Sequence, residues 1–290
     1  MSSRWGVTVV RACGRGGPEG AGGSPTAVVA EREAAGAADA ERAAVAPAAG
    51  VSHAVFVDSA PGRARLRFFT AEGELPACGH GTVAALAYLA ARGNGRFQGE
   101  LHAGGAAFAG RAEPDGAGYR AEFRTRPVEL HAATPDEAAA VGDALGASIA
   151  DGAVIASLGR ARMLLPVAGR PALHALTPDP ARLRAACDRL GLLGVYVHTP
   201  PSSDGRLAAR MFAPSIGVPE DIANANSTAC LAAHLAGRGV PRIAADMGDT
   251  LGSPATITAA AEPGPGPRHV RVGGRAVLAA GGRCHTLPLS

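Results

Sequence analysis

The stretch TVAALAYLAARG, Thr82 to Gly93, aligns without a gap with TACLAAHLAGRG, Thr228 to Gly239. The offset, 228 minus 82, is 146 positions, close to half of the 290-residue chain. Both segments are small and apolar nearly all round, the pattern of a helix buried on every side, and both end in Arg then Gly, a last-turn cation followed by a glycine stop. The lead-ins match as well. Arg67-Phe68-Phe69-Thr70 precedes the first and Arg210-Met211-Phe212-Ala213 the second, both reading as strands, followed by a loop holding Glu74 and Pro76, then Pro219 and Glu220. Strand, loop, helix and stop recurring in one order imply a chain of two related halves.

Outward from these units the pattern is α+β. Strands are expected near Val7–Ala12, Thr26–Ala30, His53–Val57, Arg65–Phe69, Glu100–Ala103 and Tyr119–Phe123, with a helix near Glu31–Ala46. The second half carries strands near Val154–Ala156, Met163–Pro166, Val195–His198, Ala208–Phe212, Thr256–Ala260 and His269–Val272, and helices near Pro135–Ala147 and Pro180–Leu190. Arg126-Pro127 reads as the crossover, so the expected domains are 1–126 and 127–290. Strands flanking a buried helix in each half predict a curved sheet wrapped round a central helix, with a cleft between two such lobes.

Composition removes several function classes. All 28 basic residues are arginine, because the chain contains no lysine. Internal aldimines, Schiff-base aldol chemistry and a Walker phosphate loop all need one. The net charge is +3 with scattered arginines, and aromatics are 4%, so there is no stripe for a phosphate backbone, few stacking platforms are available, and nucleic acid is not an expected partner. Apolar runs are too short for a membrane span or a signal h-region, which predicts a cytoplasmic protein with no membrane partner. Five cysteines, Cys13, Cys78, Cys187, Cys230 and Cys284, show no CxxC pairing, and no histidine or acidic pair at helical spacing accompanies them, so no disulfide framework and no metal is expected. Cys13, Cys187, Cys230 and Cys284 read as small core residues, and His131, His174, His198 and His234 as surface or packing residues.

Chemistry is expected in the loops entering the two buried helices. Cys78-Gly79-His80-Gly81-Thr82 leads into the first, and Asn224-Ala225-Asn226-Ser227-Thr228 into the second, Cys78 matching Asn224. Helix N-termini offer unpaired N–H groups and a partial positive charge, so such ends can hold a carboxylate and stabilise an enolate-like anion. A thiol placed there becomes more acidic. The structural alternatives are a core thiol at Cys78, a loop-anchoring hydrogen bond at His80, a strand-start residue at His53 and a helix cap at Asp221.

The chain resembles the phenazine-biosynthesis isomerase-like family of the diaminopimelate epimerase and proline racemase superfamily. The resemblance is carried by GGSPTAVV (Gly22 to Val29), LRFFT (Leu66 to Thr70) with ELPACGHGT (Glu74 to Thr82), RMFAP (Arg210 to Pro214) with Pro219-Glu220-Asp221, and VRVGG (Val270 to Gly274). It implies an α+β, diaminopimelate epimerase-like fold of two pseudo-symmetric lobes, each a curved mainly antiparallel sheet or barrel around a central helix, no cofactor, and proton transfer beside a carboxylate in the interlobe cleft. Carried over, the family's loop histidine falls on His80 and its Glu-Asp-Pro aspartate on Asp221, while its proton-carrying glutamate falls on His53. Cys78-Gly79-His80-Gly81 is similar to the Cys-Gly-Asn-Gly of the epimerase branch, whose second cysteine is matched by Asn224.

A stereocentre is inverted by an acid and a base on opposite faces, whereas a double bond moves when a proton is lifted from one carbon and returned to another. One thiol therefore favours a cofactor-independent isomerase acting on a small unsaturated carboxylate. The expected catalytic residues are Cys78, His80, His53 and Asp221, and the expected substrate-binding residues Gly79, Gly81, Thr82, Asn224, Ala225, Asn226 and Ser227. The resemblance extends the expectation to a homodimer in antibiotic biosynthesis, with an alkylidene-pyrroline carboxylate of a 4-alkylproline route as one substrate. An amino-acid epimerase or racemase using Cys78, and a non-catalytic carboxylate-binding protein, are the alternatives.

Overall fold

The computed structural model describes residues 4–16, 22–146, 152–264, 266–279 and 285–288. Cys284, expected in the core, lies outside them. In chain order the first elements are β1 (Arg4–Ala12), β2 (Ser24–Ala30), α1 (Asp39–Ala48), β3 (His53–Ala60), β4 (Arg63–Thr70), β5 (Gly73–Leu75), α2 (Gly79–Arg92), β6 (Phe97–Ala103), β7 (Ala106–Asp115) and β8 (Gly118–Arg124). Then follow β9 (Glu129–Ala132), α3 (Pro135–Leu145), β10 (Val154–Ser157), β11 (Ala161–Pro166), α4 (Arg170–His174), α5 (Pro180–Arg189), β12 (Leu192–His198), β13 (Arg206–Ala213) and β14 (Val218–Asp221). The last are α6 (Ala225–Ala236), β15 (Arg242–Met247), β16 (Ala255–Ala261), β17 (Val270–Leu278) and β18 (His285–Pro288).

Two compact units result. One comprises Met1–Arg124, Ser253–Ala255 and Gly273–Ser290, the other Thr125–Gly252 and Thr256–Val272. The break at Arg124 falls close to the expected 1–126 boundary, but 127–290 is not one continuous second domain. The C-terminal part of β17 is needed in the first unit, where it pairs antiparallel with β1, Ala12 facing Ala276 and Val10 facing Leu278.

The first unit is a closed mixed barrel. β1 runs antiparallel to β2, β2 parallel to β3, β3 antiparallel to β4, and β4 parallel to β6. β6, β7 and β8 form an antiparallel meander, and β17 closes the ring between β8 and β1. Helix α2 occupies the interior, packed on β1, β2, β3, β4, β6, β7 and β8. Every residue from Gly79 to Ala90 is buried, which explains the small apolar sequence: a barrel of this size admits a helix only where its side chains are short. The outer face has its own core, in which Val7, Val29, Phe56 and Phe69 lie with Val45 and Ala46 of α1. Strands buried on both faces read as continuous apolar runs, as His53–Val57 does.

The second unit repeats this order. β10 is antiparallel to β11, β11 parallel to β12, β12 antiparallel to β13, and β13 parallel to β15, with the hairpin strand β14 and helix α6 in the positions of β5 and α2. Its outer face is covered by α3 and α5 over Ile155, Met163, Leu165, Val195 and Val197.

Three local expectations are corrected. The helix expected over Glu31–Ala46 is a 3-10 turn at Glu31–Ala34 followed by α1 from Asp39, because Gly36 takes a left-handed φ of +79° that breaks the run. Helix α6 stops at Ala236, short of the Arg238-Gly239 pair expected to end it, and Arg238 reaches back to His234. The strands β7 and β15 were not anticipated, since Ala, Gly and Asp dilute their β propensity and only their partners hold them extended.

Candidate active site

Cys78 is the N-cap of α2 and its side chain makes no capping hydrogen bond. Its carbonyl accepts the Thr82 amide at 2.9 Å and the Thr82 hydroxyl at 2.8 Å. Thr82, expected to bind substrate, is held against the cap by these two bonds. The Cys78 thiol lies 3.5 Å from His80 Nε2. A Cβ on Gly81 would fall 3.0 Å from Cys78 Sγ and 3.0 Å from Phe68 Cδ1, so only glycine leaves the thiol its place.

His53 opens β3 and reaches the same point. Its ring stands edge-on to His80, with centroids 4.4 Å apart and planes at 87°. Its Nδ1 lies 2.9 Å from the Ser52 hydroxyl, a contact that leaves Nε2 for chemistry. The side chains of His53, Cys78 and His80 are all buried, and their ligand-type atoms lie within 4.8 Å of one another. Burial, and then the neighbouring His80, hold His53 well below the ordinary histidine range, so at neutral pH it is an unprotonated imidazole able to accept a proton. Beside it in register is Thr26. Among the described residues, the hydroxyls of Thr26 and of Ser24, two residues earlier on the same face, are fully buried and find no hydrogen-bond partner, an arrangement that suits a polar ligand.

The second unit's loop is organised differently. The Asp221 carboxylate accepts the Ala223 amide at 3.3 Å and the Asn224 side-chain amide at 3.0 Å. Asn224 Oδ1 in turn accepts the Ser227 amide at 2.9 Å, a side-chain N-cap that uses an amide expected to bind an anion. The Ser227 hydroxyl turns to Met211 Sδ at 3.5 Å. Ala225 is buried and Asn226 half-buried. The two matched helix starts thus diverge: α6 is capped by its own asparagine, whereas the side chain at the α2 start is a thiol that makes no capping hydrogen bond.

Sequence reasoning missed Ser24, Ser52, Thr26 and Arg162. Arg162, on β11, is 3% exposed; its Nη2 donates to the Arg160 carbonyl at 2.8 Å, while Nε and Nη1 find no hydrogen-bond partner among the described residues. An arginine inside the apolar run Ala161–Pro166 was the available signal, since such a residue buries a permanent charge that requires an acceptor.

Residues 18–282 match the profile of the PhzC-PhzF family, phenazine biosynthesis-like protein. The chain belongs to this family. Among curated relatives, an uncharacterized isomerase of Deinococcus radiodurans is 33% identical over 197 residues, covering 61% of this chain and 60% of that protein. The match thus spans less than two thirds of that relative's length. Among solved structures, a Pseudomonas aeruginosa protein described as a predicted epimerase shares 27% identity at a TM-score of 0.79, over 96% of this chain and 98% of that one. A hydroxyproline epimerase from Agrobacterium vitis, solved with trans-4-hydroxy-L-proline, is 13% identical at a TM-score of 0.60, over 94% and 88% of the two chains. The phenazine biosynthesis-like family and the epimerases therefore share this α+β fold. Among the described residues, no helix is long and apolar enough to cross a membrane.

Proposed function

We propose that this phenazine biosynthesis-like protein is an isomerase that shifts a proton, and with it a double bond, within a small unsaturated carboxylate, using His53, Cys78 and His80. The observation that carries the reading is the meeting, at an uncapped helix start, of a neutral buried imidazole with a thiol–imidazole pair. His53 Nε2 takes the proton from an acidic carbon, and the C–H electron pair enters the conjugated system as an enolate-like anion. The amides of the first turn of α2 stabilise that charge, since a helix start leaves its first N–H groups without intrahelical acceptors. The Cys78–His80 pair returns a proton to a different carbon, a new C–H bond replaces the one broken, and the double bond ends displaced.

Asp221 is assigned a positioning role, because it holds the side chain of Asn224. The family resemblance further supports a cytoplasmic homodimer working in secondary metabolism, with alkylidene-pyrroline carboxylates among the substrates to try. Epimerisation is the second reading, favoured by the likeness of Cys78-Gly79-His80-Gly81 to the epimerase loop.

Incubation in D₂O with pyrroline, proline and cyclohexadiene carboxylates, followed by NMR, separates these readings. Deuterium uptake with a moved double bond supports isomerisation, and uptake at the α-carbon alone supports epimerisation. Cys78→Ser and His53→Gln should each slow uptake by ~10²–10⁴-fold, the usual contribution of a positioned acid or base. Full activity in both variants sinks the assignment.

A further inference from the structure

We propose that His53, Cys78 and His80 form a binding site for a thiophilic divalent cation, Zn²⁺ above all, with one thiolate and two imidazoles as donors and a fourth position open. Zinc accepts this donor set, with bonds of about 2.3 Å to sulfur and about 2.0–2.1 Å to nitrogen, which at tetrahedral angles places the two ligand atoms about 3.5 Å apart. Cys78 Sγ and His80 Nε2 are 3.5 Å apart. His53 completes the set, all three ligand atoms lying within 4.8 Å of one another, so a shift on the order of 1 Å by one ring closes it to tetrahedral spacing.

The surroundings favour the same use. All three side chains are buried, which excludes competing water. Ser52, at 2.9 Å from His53 Nδ1, is an outer partner of the kind that fixes the ring of a metal-ligating histidine. Gly81 keeps the space at the sulfur clear. On binding, the sulfur–hydrogen bond is lost to water as a proton and a sulfur–zinc bond forms. The sequence offers Cys78, His80 and His53 as a possible ligand set but no ligand pair at helical spacing to support it, because His53 arrives from a strand far from the Cys78–His80 loop. Occupancy would also stop proton transfer, a consequence that rests on the proposed function, whereas the binding itself does not.

Titrating the purified chain with Co²⁺ alone, and then with Zn²⁺ against a chromophoric chelator, reads the binding without any substrate. One ion per chain is expected, with a thiolate-to-cobalt charge-transfer band in the near ultraviolet. Cys78→Ser should abolish the band and weaken zinc by more than ~100-fold, while Ser52→Ala should weaken it by about 10–100-fold, the cost of losing an outer partner. Cys187→Ser, in a separate core, should bind as the native chain does. His53→Gln repeats the test should Cys78→Ser fail to fold. Absence of a one-to-one complex, a cobalt complex lacking the band, or unchanged zinc affinity in the Cys78 and His53 variants overturns the proposal. Absence of isomerisation in the zinc-free chain, beside tight zinc binding, would count against the function alone, and rapid isomerisation without zinc binding against the metal site alone.

Discussion

Single residues at the α2 start are constrained to within a few tenths of an ångström. Gly81 illustrates this, because an added methyl group would meet both Cys78 Sγ and the Phe68 ring at 3.0 Å. Gly81→Ala should therefore displace the thiol from His80 and cut the exchange rate by about 10–100-fold, an effect of roughly 1–3 kcal/mol of the kind produced when a catalytic group moves by a fraction of its contact distance. Deuterium-exchange kinetics check this, and an unchanged rate would show that the thiol is not positioned for chemistry. Away from the site, burial lowers His198 to about 4, with His234 and Arg238 adding repulsion while the Thr199 carbonyl opposes the shift. The unfolded chain takes this proton near pH 6.5 and the folded one only near pH 4. The contribution to stability is therefore complete above pH 6.5 and is lost as pH falls towards 4, by ~3 kcal/mol in all. Urea midpoints across that range should decline with pH, and His198→Asn should flatten the decline.

At the scale of elements, the two matched helices make opposite use of their first residue. Asn224 caps α6, so Asn224→Ala should cost about 1 kcal/mol. Cys78 leaves α2 uncapped, and serine is a preferred cap, so Cys78→Ser should gain up to ~1 kcal/mol while losing catalysis. Such a gain on removing a functional group is the trade between stability and activity. Thermal unfolding of both variants measures the pair, and loss of stability in Cys78→Ser would assign the thiol a packing role instead. Strand β11 offers a third case, because Arg162 buries a charge with two idle donors. Without an anion bound, Arg162→Met should stabilise the protein by ~1–3 kcal/mol, since an unpaired buried charge is replaced by matching apolar volume.

For the whole molecule, the repeat seen between Thr82–Gly93 and Thr228–Gly239 proved to extend through seven elements in the same order and with the same strand directions. That much was legible because a helix inside a barrel must be small and apolar all round, and strands covered on both faces must be apolar throughout; both demands are written directly into local sequence. The Cys78–His80 pair was legible for the same reason, being two residues apart at a helix start. Closure was not legible. The use of β17 in the first barrel, and the strands β7 and β15, depend on partners far along the chain, and pairing energy there overrides weak propensity. The edge-on approach of His53 to His80, the buried hydroxyls of Ser24 and Thr26, and the idle donors of Arg162 likewise arise only when separate strands meet. Local pattern therefore determined which segments are core and which loop carries the thiol, whereas the tertiary structure decided which groups that thiol meets, because contacts between distant segments depend on the fold as a whole and leave no periodic trace in the sequence.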